Sequence, residues 1–273
     1  MSEPERIPTV NVAASVYGDD PDEADPAELL HEASKLSPST VVRQMRGVWK
    51  LEQSAPLRAS TARAVRRNRA LVGNALPPAE LPPVPLADVL RSRRSMRRFA
   101  ESPLTLEQLA ALLEAGYGVT EQDERDVLPA LRSAPSAGAL YPLELFVAVR
   151  RVDGLDPGVY HYDPLRREIR HVADAAEPAA VSPHAEVIES AAAVLILTAV
   201  FWRSRFKYGL RAYRFTLLEA GHAAQNVLLA ATALGLGSIV LGGFYDGRVD
   251  GLLGLDGVNE SSLVLVCVGE PPE

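Results

Sequence analysis

The chain has 273 residues, enough to bury a full core in one or two domains, and its 47% hydrophobic and 23% charged make-up is that of an ordinary globular protein. A net charge of -7 offers no global basic field to nucleic acid, and the single cysteine, Cys267, excludes an intrachain disulfide and a cysteine-rich metal site. No stretch approaches the roughly 20 apolar residues that span a bilayer and the start MSEPERIPTV has no apolar signal core, so the expectation is a cytoplasmic protein without membrane or nucleic-acid partners.

Residues 1–85 read as an N-terminal extension and 86–273 as one main domain. Seven acids fall between Tyr17 and Glu32, and eight bases against the lone Glu52 fall between Arg43 and Arg69. Such blocks are solvated, mutually paired or a docking surface for an acidic partner. LSPSTVVRQMRGVWKLEQ suits a helix capped by Ser39 or Thr40. Five prolines between Pro77 and Pro85 then make an extended connector that lies outside any regular element. In the main domain, LADVLRSRRSMRRFAESP is a helix that stops in a loop. LTLEQLAALLEAGYG carries the clearest helix start, a capping box of Thr105 and Gln108, with Gly116 and Gly118 at its end.

YPLELFVAVRRV alternates as a strand, and PGVYHYDPLRREIRHV is a hairpin whose turn starts at Asp163-Pro164. Val194–Phe201 is a buried strand, Tyr213–Leu234 a long helix, SIVLGGF a strand, DGRVDGLLGL a helix capped by Asp246, and SSLVLVCVGE a last strand holding a buried Cys267. Leu217, Gly221, Ala224, Leu228, Ala231 and Leu234 form the expected apolar stripe of the long helix. Hairpins mixed with helices give an α+β class with a mostly antiparallel sheet flanked by helices.

Several chemistries are absent. There is no GxxxxGK[ST] loop and no GxSxG elbow, and GLGSIVLGG lacks the third glycine of a dinucleotide fingerprint. The histidines (His31, His161, His171, His184 and His222) are scattered, which gives no metal site. Arginines, glycines and one Lys-Tyr pair remain. RSRRSMRRF, Arg91 to Phe99, holds five arginines and two serines. It suits a dianionic phosphate through guanidinium forks, and alone it equally suits a solvated turn. APSAGALYP and IVLGGF place small residues where backbone can lie against a flat ligand or a neighbouring segment. Lys207 and Tyr208 stand at the mouth of the long helix among Arg205, Arg211 and Arg214. They are either a solvated helix start or a site that removes protons and holds anions.

Together, RRSMRRF, PSAGALYPLELF, GVYHY, KYGLRAYRFTLLEAGHAAQN and GLGSIVLGGF closely resemble the nitroreductase superfamily of FMN-dependent flavoproteins. Within it they are most similar to the SagB-type azoline (thiazole/oxazole) dehydrogenases. The resemblance covers about Leu86 to Glu270 and extends weakly to HEASKL, His31 to Leu36. It implies an α+β homodimer with FMN at the subunit interface. It assigns Arg93, Arg94 and Ser95 to the FMN phosphate, and Arg97 to the neighbourhood of the flavin ring. It assigns Ser136, Ala137 and Gly138 to a loop reaching the flavin of the partner subunit, and Leu241, Gly242 and Gly243 to the flavin N5 edge. Lys207 and Tyr208 become the catalytic pair, in a strand-to-helix loop.

The implied reaction oxidises thiazoline or oxazoline rings, made by a cyclodehydratase partner in a ribosomally synthesised peptide, to thiazoles or oxazoles. Lys207 would act as base, a role that burial and the nearby Arg205 and Arg211 would favour. In the wider superfamily an acidic residue commonly stands where this chain has Gly242, which lowers the support for NAD(P)H-dependent reduction of nitro or unsaturated substrates. A non-catalytic scaffold subunit is a further alternative, against which the intact Lys-Tyr pair argues.

Overall fold

The computed structural model describes residues 26–38, 41, 46–54, 56–57, 73–121 and 130–272. The acidic run up to Asp25, most of the basic run from Arg43 to Arg69 and the expected caps Ser39 and Thr40 lie outside the described residues.

Ahead of the main domain lie helices α1 (Pro26–Ala33) and α2 (Arg46–Gln53). Next come β1 (Asn74–Ala75), α3 (Leu86–Ser92), α4 (Leu106–Tyr117), β2 (Val119–Glu121) and β3 (Leu131–Arg132). They are followed by β4 (Leu143–Val149), β5 (Gly158–Asp163), β6 (Glu168–Ala173), α5 (Pro178–Val181), α6 (Ala185–Ser190) and β7 (Ala193–Val200). The chain ends with α7 (Trp202–Tyr208), α8 (Arg211–Ala233), β8 (Gly237–Leu241), α9 (Asp246–Leu253) and β9 (Glu260–Gly269). Among the described residues seven strands form one sheet in the order β1-β6-β5-β4-β7-β9-β8, every neighbouring pair antiparallel. β2 and β3 make a separate ribbon.

The central strands β4 and β7 read as almost unbroken apolar runs because both of their faces are covered. On one face α4 and α8 bury Leu109, Leu112, Leu113, Ala223 and Val227 against Leu143, Leu145, Leu195 and Leu197. On the other, Phe99, α6 and α9 cover Phe146, Ile196, Ile239 and Leu265. Cys267 is fully buried in that second layer, and burial pushes its thiol up to about 12. The α+β class, the antiparallel sheet and the hairpin match the expectation, and residues 77–85 carry no helix or strand. Asp163 Oδ1 accepts from the amides of Leu165 and Arg166, which builds the hairpin turn. Asn74–Ala75, inside the expected extension, joins the main sheet through Ile169 and Glu168.

Four local readings change. The capping box at Thr105 and Gln108 is present, but Gly116 lies within α4, not at its end. The cap is Gly118, with φ of -67°, in extended backbone. Helix α8 starts two residues earlier than expected, and its expected stripe is inward only in part: Ala224, Leu228 and Ala231 are buried, whereas Leu217 and Gly221 are exposed, and Ala212, Thr216, Ala220, Ala223 and Val227 are buried as well. Helix α9 is preceded by Tyr245 as its cap, and Asp246 is its first residue. Trp49 and Trp202, which in the sequence suit either the core or a substrate cleft, are 65% and 53% exposed, so neither is a core residue.

Candidate active site

At the free edge of the sheet, α3 ends at Arg93 in extended backbone, and the basic segment then runs beside β8. Ser95 bridges Ser238, the Met96 amide donates to the Ser238 carbonyl at 3.0 Å, and Phe99 packs against Gly237 and Gly269. This anchoring turns Arg94, Arg97 and Arg98 to solvent, with Arg93 half-buried. Arg94 folds back to donate to the carbonyls of Arg91 and Arg93 at 2.7 and 2.8 Å. Where β8 ends, Gly242 and Gly243 are exposed, and the side of Gly242 where a Cβ would stand is open. Gly243 is fixed by Ser182 Oγ, which donates to its carbonyl at 2.7 Å, and His184 stands against it.

The second group of expected site residues meets at one point. Lys207 and Tyr208 close the last turn of helix α7, so they lie on a helix and not in a strand-to-helix loop. The Tyr208 ring packs edge-on against Phe215 at 5.2 Å. Gly138 has φ of +65°, and a Cβ there would stand 2.5 Å from Tyr208 Oη and 2.6 Å from Lys207 Nζ. The Ser136–Gly138 loop therefore presses on the Lys-Tyr pair of its own chain, some 70 residues away in sequence, and only glycine permits that approach. Register places only Gly242 and Gly243 of the first group toward the end of the sheet that carries the Lys-Tyr pair, since β4 starts opposite the end of β7 and β8 runs toward the start of β9; Ser95 bridges Ser238, opposite Val268 near the other end of β9. Strands β7 and β9 stand between β4 and β8.

A buried ion pair fixes helix α7. Arg203 donates to Glu144 Oε1 at 2.5 Å, and His161 Nε2 lies 2.7 Å from Glu144 Oε2. Burial opposes ionisation of Glu144, but Arg203 and His161 outweigh it and hold the carboxyl down at about 2. The helix that carries Lys207 is thus tied to the central strand β4 by a carboxylate ionised at every ordinary pH.

The other arginines of this stretch have different work. The Arg205 guanidinium lies 4.7 Å from the centre of the Trp202 ring. Arg214 donates to Ser34 Oγ at 2.7 Å and to the His31 carbonyl, and Arg211 donates to the Ser34 carbonyl at 3.4 Å. Helix α2 packs on α7 with Gly47 against the backbone of Phe206 and Lys207. Arg211 and Arg214 therefore fasten the N-terminal segment over the Lys-Tyr helix, in place of the anion that they were expected to hold.

Sequence reasoning missed Glu219. It is 2% exposed, accepts a 2.5 Å hydrogen bond from Tyr117 Oη and is hydrogen-bonded to Ser136. Burial raises its carboxyl to about 7, against the pull of Ser136, Tyr117 and Arg132. A lone acid on the alanine-lined face of the long helix was the available signal, as was a lone acid in the apolar strand for Glu144. Among the described residues no three His, Cys, Asp or Glu side chains gather as a metal site, and no helix is long and apolar enough to cross a membrane.

The chain belongs to the Nitroreductase family, whose model matches residues 90–270. It is 43% identical over 193 residues to the Methanocaldococcus jannaschii protein named "Putative nitroreductase MJ1384", covering 70% of this chain and 93% of that one. A crystal structure from Anabaena variabilis, of a chain also named a "putative nitroreductase", superposes with a TM-score of 0.64 at 28% identity, over 75% of this chain and 42% of that one. The Escherichia coli microcin system is similar in two ways. The Microcin B17-processing protein McbC is 31% identical over 147 residues, 51% of this chain and 54% of its own. A chain of the microcin synthetase McbBCD complex with truncated pro-MccB17 bound shares the fold at a TM-score of 0.56 and 21% identity, over 92% of this chain and 99% of that one. This chain thus spans about half the length of McbC and less than half of the Anabaena chain.

Proposed function

We propose that the chain is an FMN-dependent dehydrogenase that oxidises thiazoline or oxazoline rings in a ribosomally made peptide to thiazoles or oxazoles. The observation that carries the reading is the meeting of Lys207 Nζ, Tyr208 Oη and Gly138, because it brings a base and a phenol against a loop with room for no side chain. The likeness to McbC, a microcin-processing protein, supports it.

The residues fit FMN. Arg93, Arg94, Arg97 and Arg98 form no ion pair among the described residues, so their charge is available to a phosphate, with the exposed Ser95 hydroxyl beside them. The open side of Gly242, between Leu241 and Gly243, leaves room for a flat ring. Ser136, Ala137 and Gly138 would complete the cradle. When bound, FMN would supply the two-electron acceptor for a hydride leaving the ring. The chain's own part is to take the proton. Lys207 Nζ, as the base, accepts it from the ring carbon that was the amino-acid α carbon, while Tyr208 Oη orients the ring. The substrate loses one proton and one hydride, two mass units, and gains an aromatic ring.

The reading includes a homodimer. Leu217 and Leu218 of α8 are 44% and 60% exposed, and an open groove of about 280 Å³ runs between α8 and the sheet, lined by Leu217, Gly221, Leu228, Val240 and Leu263. A second copy would cover this apolar surface. It also includes a cytoplasmic location and, by likeness to a chain of the McbBCD complex, a cyclodehydratase partner that makes the rings. Light scattering at micromolar concentration is expected to give twice 29.4 kDa. A monomer that retains flavin rejects the dimer.

The purified protein is expected to be yellow and to release FMN on denaturation. A colourless protein that takes up no FMN overturns the whole reading. The name of the Methanocaldococcus relative favours a second reading, an NAD(P)H-dependent reductase of nitro or unsaturated substrates. Stopped-flow mixing with NADPH separates the two: fast flavin bleaching supports the reductase, and little reaction supports the dehydrogenase.

A further inference from the structure

Trp202 is an exposed indole held in one place. Its Nε1 donates to Asn259 Oδ1 at 2.9 Å, and Asn259 Nδ2 donates in turn to Asp256 Oδ2 at 2.7 Å. Asp256 Oδ1 accepts from the amides of Val258, Asn259 and Glu260 at 2.9, 2.7 and 3.0 Å, which fixes the loop ahead of β9. The Arg205 guanidinium lies over the indole, and among the described residues it forms no ion pair. The ring is thus 53% exposed and also pre-organised, a combination that suits a binding surface.

Spacing joins this surface to the Lys-Tyr pair. Trp202, Arg205 and Tyr208 follow one another every third residue on α7, so they are neighbours along one row of the helix. The other sides are taken: Ser204 is buried, Arg203 is tied to Glu144, and Gly47 lies against the backbone of Phe206 and Lys207. The start of α7 is fixed as well. The Phe201 amide donates to the Asn259 carbonyl at 3.0 Å, and the Val200 amide to that of Pro142 at 2.8 Å. From Trp202 to Tyr208 the row rises about 9 Å, the reach of about three residues of extended chain.

We propose that Trp202 and Arg205 form a docking ledge for the peptide beside its reacting ring. Trp202 stacks on a second flat ring, an aromatic side chain or an azole already formed, about three residues from the ring at Tyr208. Arg205 pairs with an acidic side chain between the two. Both are specificity-determining residues, and proton removal belongs to Lys207 and Tyr208. That the ledge serves a ring-bearing peptide rests on the proposed function; the anchoring of Trp202 and its row with Tyr208 do not.

Calorimetry on the full chain as purified, with peptides that carry a thiazole at the reacting position, tests the ledge without turnover. Phe placed three residues from the thiazole on each side should tighten binding about tenfold over Ala. In Trp202→Ala that preference should vanish, and in Trp202→Phe most of it should return. An intervening Asp should bind about fivefold tighter than Asn, and Arg205→Gln should remove the difference. In Trp49→Phe, which leaves Trp202 as the one tryptophan of the chain, the Phe peptide should change the emission saturably.

The same samples, given the thiazoline form, report the two-mass-unit loss. Conversion without a Phe preference overturns the ledge and spares the dehydrogenase. A Phe preference that depends on Trp202, without conversion, supports the ledge and overturns the dehydrogenase. A wild-type chain that binds none of the peptides overturns the ledge, and so does Trp202→Ala with the wild-type preference.

Discussion

Gly138→Ala is expected to abolish ring oxidation almost completely while leaving the fold intact. An alanine at φ of +65° carries a backbone cost of about 1–2 kcal/mol. Its Cβ would also stand 2.5 Å from Tyr208 Oη and 2.6 Å from Lys207 Nζ, closer than real atoms approach. The lysine tip is the flexible partner, so Nζ swings away and the base leaves its place. Misplacement of a reacting group by about 1 Å costs roughly 100-fold. Gly154→Ala is the matched control. It has φ of +78° with nothing within 4 Å of the added carbon, so it reports backbone strain alone. The two variants should lose similar stability in urea, and only Gly138→Ala should lose conversion of a ring-containing peptide, measured as a two-mass-unit loss at equal flavin content. Equal activity in both would separate the glycine loop from the chemistry.

The contrast between these glycines shows what a sequence can and cannot disclose. The Thr105 capping box was readable because its hydrogen bonds close within four residues, as were those of Asp163 in the hairpin turn. The inward face of α8 was legible only in its second half, at Ala224, Leu228 and Ala231. Alanines are spread around that helix, and burial is decided by where α4 and the sheet stand, not by periodicity alone. The types of residue at the site were legible, but their grouping was not. Lys207, Tyr208 and Gly138 meet only after β4 and β7 pair, with Leu143 opposite Ala199. Arg211 and Arg214 looked like anion ligands because guanidinium groups suit both roles. Their partners, Ser34 and the His31 carbonyl, lie about 180 residues upstream. Glu144 and Glu219 were single acids in apolar surroundings, and each buried one has found partners from other elements, as burial of a charge demands.

Lys207→Ala is expected to fold, to dimerise and to keep its flavin, yet to lose most ring oxidation. The substitution removes the amine facing Gly138 and leaves the tether of α7 untouched, since Arg203, Glu144 and His161 hold that helix from beneath. No nearby group can replace it. The other lysines are Lys35 and Lys50, both exposed, and Lys35 is paired with Glu32 at 2.5 Å. The neighbouring bases are arginines, which do not deprotonate in this range. A positioned general base contributes about 10²–10⁴-fold, which sets the expected fall in conversion at matched flavin content. Tyr208→Phe distinguishes the partners. A mild loss fits a phenol that orients the ring, and a loss as deep as that of Lys207→Ala would move the base to Tyr208. Near-wild-type conversion by Lys207→Ala would return the pair to a solvated helix end and place the proton acceptor elsewhere.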